Sequence, residues 1–130
     1  MTEVKPGSLV FWEFVTEDPT RTSRFLREVF GWETQSVPGL EYQLFAAPTG
    51  PGGAIAQRTG NLPRRILNYI LSTDIEEDLR KIEKAGGKVR IGKTEIPNIG
   101  WWATFEEPTG LVLALFQSLA PDRGPVARYR

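Results

Sequence analysis

One acidic side chain stands inside an otherwise apolar strand pattern. In LVFWEFV, residues 9–15, Glu13 falls between Phe11 and Val15 on one face of the alternation. A carboxylate there carries a desolvation cost unless it is paired or protonated. It could bind a cationic or hydroxyl group, or act as a base of raised pKa with Tyr42 as its acid partner. A partly exposed Glu at a sheet edge, or one tied to an Arg or a backbone N–H, would do neither. Trp101 and Trp102 are adjacent, so one should face each side of a strand, as a stacking platform or as core filler. Asn68, inside ILNYILS, could hydrogen-bond a ligand or a neighbouring backbone group. Arg21, Arg24 and Arg27 recur at threes and read as an anion patch or a solvated helix face. Arg64, Arg65, Arg128 and Arg130 read as solvent-exposed.

What is missing narrows the chemistry. The chain has 130 residues, with no histidine and no cysteine. A Ser-His-Asp triad, a Cys-His pair, a disulfide and an ordinary zinc site are therefore excluded. An oxygen-only Mg²⁺ or Ca²⁺ site would need a cluster such as DxDxDG, which is absent, as are GxxxxGK[ST] and GxGxxG. Lys plus Arg number 16 and Asp plus Glu number 16, so no basic excess marks a nucleic-acid partner. No apolar run is long enough for a membrane span, and MTEVKPGS lacks a signal-peptide core. A cytoplasmic location is expected.

The elements that must position these residues come in two similar sets. Residues 9–15 read as a strand, and Asp18-Pro19 as a capped helix start. Phe25, Leu26, Val29 and Phe30 share a helix face, and Gly31 suits the left-handed stop. Strands follow over 32–37, 42–47 and 53–58. The second half repeats the order. A strand spans 66–72, Asp74 caps a helix with Ile75, Leu79, Ile82 and Ala85 on one face, and Gly86-Gly87 stops it. Strands over 88–93, 101–105 and 111–117 close the set, with IPNIG as a loop. A βαβββ unit repeated twice predicts an α+β fold of eight strands and two helices. Its two modules span about 8–58 and 64–118, within one domain over 1–130. Their sheets curl into a shared cup with the helices outside, and 119–130 forms a tail.

These segments resemble the vicinal oxygen chelate superfamily, which includes glyoxalase I, extradiol dioxygenases, and bleomycin and fosfomycin resistance proteins. The likeness rests on FWEFVTEDPTRTSRFLREVFGWE, AGGKV and NIGWWATFEEPTGLVLALFQ, and so covers nearly the whole chain. Metal-dependent members place one ligand, usually His or Gln, Glu, His and Glu, on the first, fourth, fifth and eighth strands. Carried over, these positions fall on Phe11, on Ala54 or Ala56, on Asn68 (Leu67 if the register slips by one), and on Ala114. Phe and Ala offer no donor, and a single amide cannot hold a divalent ion against water. The resemblance therefore implies a cup with no metal and no cofactor. It argues against glyoxalase I, dioxygenase and fosfomycin-thiol transferase activity together.

The family register gives a cup lined by Leu9, Phe11, Glu13 and Val15; Tyr42, Leu44 and Ala46; Asn68, Ile70 and Ser72; Trp102 and Thr104; and Val112, Ala114 and Phe116. Val10, Trp12 and Phe14 would pack under a helix. Three functional classes follow. The first is a binding protein for an unidentified small apolar or aromatic molecule, which a cup packed shut by Phe11, Trp102 and Phe116 would contradict. The second is a metal-independent isomerase or lyase using Glu13. The third is an accessory module without a ligand. A homodimer is expected to be possible, because open sheet edges invite pairing.

Overall fold

The computed structural model describes residues 5–38, 42–59 and 65–119. Arg64 and the tail from 120 onward, with Arg128 and Arg130, lie outside the described residues.

The first module runs β1 (Leu9–Thr16), α1 (Pro19–Phe30), β2 (Glu33–Ser36), β3 (Tyr42–Ala46) and β4 (Gly53–Gln57). The second runs β5 (Arg65–Leu71), α2 (Ile75–Lys84), β6 (Lys88–Ile96), β7 (Gly100–Glu106) and β8 (Val112–Ser118). The two helices start identically. Asp18 Oδ1 accepts the Arg21 N–H at 3.1 Å, and the Asp18 N–H donates to Thr16 Oγ1 at 3.1 Å. Asp74 Oδ1 accepts the Glu77 N–H at 3.1 Å, and the Asp74 N–H donates to Ser72 Oγ at 3.1 Å. Each aspartate satisfies an N–H that has no partner inside the first turn. Gly31, at φ 71°, ends α1 in the left-handed region.

All eight strands form one open sheet in the order β2-β3-β4-β1-β5-β8-β7-β6. Each module's first strand pairs parallel with its last, β1 with β4 and β5 with β8. The modules join along one antiparallel seam, β1 against β5, where Phe11 faces Tyr69, Glu13 faces Leu67 and Val15 faces Arg65. Opposed residues share a face. The cup face of β5 therefore carries Arg65, Leu67, Tyr69 and Leu71.

One buried cluster lies on the cup face and includes Val10, Phe11, Leu44, Ala54, Leu67, Tyr69, Ala114 and Phe116. The other lies beneath α2 and joins Ile75 and Leu79 to Ala103, Phe105 and Leu115. A register shift between Leu9 and Phe11 corrects the expected alternation at the start of β1. The extra residue of this bulge puts both Val10 and Phe11 in the cup-face core and leaves Leu9 exposed. Among the described residues, no helix is long and apolar enough to cross a membrane.

Candidate functional site

The cup holds an open cavity of about 620 Å³, within the usual range for small-molecule sites. The side chains of Phe11, Trp102 and Phe116 line it without closing it. Alternation assigns the tryptophan pair: Trp102 lines the cavity, while Trp101 packs against the cluster under α2. Lys93 Nζ lies 4.7 Å from the ring centre of Trp101 on that side.

Of the expected lining residues, the structure brings Phe11, Glu13, Tyr42, Trp102, Thr104, Val112 and Phe116 to the cavity. Leu44 and Ala114 lie in the packed core of the same face and do not reach the opening. Asn68 and Ile70 are corrected: β5 is shifted by one residue from the expected register, so both turn to the helix side. Asn68 sits opposite Trp12, its Oδ1 buried without a hydrogen-bond partner. Ile70 packs against the α2 cluster. Ser72 is also corrected, because its hydroxyl donates to Asp78 Oδ2 at 2.6 Å and belongs to the helix start.

Leu67 and Tyr69 take the cup-face places on β5. The signal for them is in the sequence. Counting back seven residues from Asp18 reaches Phe11, and the same count from Asp74 reaches Leu67. Two residues further on, Glu13 in β1 corresponds to Tyr69 in β5. The Phe11 and Tyr69 rings meet edge to face with centres 5.5 Å apart. Arg65, read from the sequence as solvent-exposed, instead lines the cavity, and its Nε is buried with no hydrogen-bond partner. Across the cup, β6 runs on to Ile96, so that Ile96 and Ile99, from the expected loop, join Ile91 in the wall.

The cavity has two unlike sides. One gathers Glu13, Tyr42, Arg65 and Tyr69; the other presents Ile96, Ile99, Trp102, Val112 and Phe116. Burial pushes the Glu13 carboxyl above its ordinary range, and the nearby Arg65 guanidinium pulls it only partly back. Burial, then the Glu13 and Tyr42 charges, push the Tyr69 phenol upward, so it remains a donor. Arg90 reaches the rim but is already paired with Glu106 at 2.5 Å. This arrangement can enclose an apolar body, hold a polar head against Arg65, and exchange a proton at Glu13.

The metal expected of the fold does not fit these residues. The mapped positions Phe11, Ala54, Leu67 and Ala114 come together in a single apolar cluster, and none carries a donor atom. Among the described residues, no group of three or more His, Cys, Asp or Glu side chains is placed to hold a metal ion.

No family model matches the chain. The protein named "Putative glyoxylase CFP32", from Mycobacterium bovis and from Mycobacterium tuberculosis, is 27% identical over 119 residues. The match covers 88% of this chain but 44% of the relative, so the chain spans less than half the length of these relatives. A solved glyoxalase/bleomycin resistance protein/dioxygenase superfamily member from Vibrio splendidus superposes at a TM-score of 0.65 and 16% identity. It covers 86% of this chain and 99% of that one. Methylmalonyl-CoA epimerase from Mycobacterium tuberculosis superposes at a TM-score of 0.67 and 10% identity, over 91% and 93% of the two chains. Sequence relatives and fold together support the resemblance to the vicinal oxygen chelate superfamily.

Proposed function

We propose that this chain, built on the fold of the vicinal oxygen chelate superfamily, is a metal-free binding protein for a small molecule with an apolar or aromatic body. The observation that carries this reading is an open cavity above four ligand positions filled by Phe11, Ala54, Leu67 and Ala114. Those side chains exchange a coordination site for an apolar floor, and the wall from Ile96 to Phe116 extends it. Native mass spectrometry of gently purified protein tests it. The expected spectrum shows a retained small molecule and no stoichiometric metal. A stoichiometric metal would overturn the reading, and the retained mass would identify the ligand's chemistry.

A second reading is favoured by Glu13, whose carboxyl is raised by burial and stands beside the Tyr69 phenol in the cavity. A raised carboxyl near a fixed donor suits proton abstraction beside a carbonyl, as in a metal-independent isomerase. Incubating the retained ligand with the protein in D₂O should then place deuterium on its carbon, and Glu13→Gln should stop the exchange while the protein stays folded. Unlabelled ligand with the native protein would leave binding as the whole function.

The protein is also proposed to act in the cytoplasm and to pair with a second copy. Pairing is supported by the exposed apolar side chains Phe25, Val29 and Phe30 on α1. Light scattering across a dilution series tests it, and a monomer at every concentration would sink it.

A further inference from the structure

We infer that the ligand of the cup is a monocarboxylate, whose acid group sits on the guanidinium of Arg65 while its apolar or aromatic body lies against the apolar lining of the cup, which includes Ile91, Val112 and Trp102. This inference rests on the binding reading above and narrows it to one chemical class. Arg65 stands at the start of β5, opposite Val15 on the cup face of the seam, one pair beyond Glu13 and Leu67. Arg65 lines the cavity, and its Nε is buried without a hydrogen-bond partner. Among the described residues Arg65 forms no direct ion pair, whereas Arg90, the other cation of the lining, is already bound to Glu106. A buried N–H left without an acceptor is costly, and a planar guanidinium matches the two oxygens of a carboxylate.

The protein group nearest in kind to that acceptor is Glu13, and burial works against its charged form. The groups facing Glu13 are Arg65 and Tyr69 on β5 and Tyr42 on β3. With Glu13 protonated, this side of the cavity holds one cation and neutral donors, a setting for a single negative charge. Ionising Glu13 places a second carboxylate beside the first and opposes binding. Ligand uptake is therefore coupled to a proton held on Glu13.

The test is isothermal titration of three matched pairs: benzoate and benzamide, naphthalene-2-carboxylate and its carboxamide, decanoate and decanamide. Each acid should bind about tenfold or more tightly than its neutral partner, as expected for a charge-assisted contact. Arg65→Met should abolish that preference, while Arg65→Lys retains part of it. Acid binding should weaken from mildly acidic to alkaline pH, and Glu13→Gln should flatten the profile. Equal binding of acid and amide by the native protein overturns the inference, leaves the binding cup standing, and needs no variant. A preference that survives Arg65→Met overturns it by placing the anchor elsewhere. If none of the six compounds binds, both the inference and the binding cup fall.

Discussion

The two helices begin with the same cap and hold their sheets differently. Shifting the second module back by the separation of Asp18 and Asp74 aligns Pro19 with Ile75, Ser23 with Leu79 and Leu26 with Ile82. In α2 those places bury Ile75 fully and Leu79 nearly so. In α1 the same places bury Pro19 and Ser23, two small side chains. Three bulky residues of α1 stand outside these slots: Phe25, Val29 and Phe30 are 57%, 56% and 57% exposed. Both helices are amphipathic, so an apolar face says that something is to be covered without saying what covers it. Burial decides which module is anchored by packing.

The comparison can be broken most readily at Ile75. Ile75→Ala empties a fully enclosed site and should cost about 3 to 4 kcal/mol in urea unfolding. A cost below about 1 kcal/mol would mean that α2 is no better anchored than α1. Next, Ser23→Leu puts the second module's residue into the first module's slot. Ser23 is almost fully buried, so the larger side chain should overpack the site and cost about 2 kcal/mol. A stabilised protein would show that the slot under α1 is roomy rather than closed.

A smaller effect concerns the equivalent strand positions Glu13 and Tyr69. Folding raises the Glu13 carboxyl above its ordinary value of 4.5, so the folded state favours the neutral form. Stability is then fully present below that ordinary value and falls as pH rises through the folded value. Glu13→Gln should melt a few degrees higher than the native protein at neutral pH, and the gap should close in acid. A gap independent of pH would place Glu13 in contact with water or a partner that keeps it charged. The smallest change is expected at Phe25. Phe25→Ser should move stability by no more than about 0.5 kcal/mol, since the ring is mostly exposed. It should also weaken self-association if a second copy covers α1.

The order of elements was legible because caps and stops are local. Asp18, Gly31 and Asp74 mark boundaries through their own backbone preferences, and the structure places them at those boundaries. The register of β5 was legible too, through the count from Asp74, which reaches Leu67, the alternative to Asn68. Other features depend on distant partners. The bulge at Val10 and Phe11 exists only against β5, and no local pattern in β1 announces it. Arg65 reads as a surface residue beside Arg64 until the sheet brings β6 across the cup. Ile96 enters the wall because β6 runs past its expected end at Lys93, and Ile99 enters from the turn that joins β6 to β7.

The seam between β1 and β5 also has a kinetic consequence. Each of these strands is the first of its module and is closed on its other side by the last, through parallel pairs that span most of that module. Hairpins such as β7 with β8 need only a short loop, but the parallel closures and the seam need long ones. Folding should therefore be slow for a chain of this length, with hairpins early and the seam late. Phe11 and Leu67 lie on the two seam strands, so the floor of the cavity is assembled in the final step. A ligand that occupies the cup can slow unfolding, but it has nothing to bind while the chain is still folding.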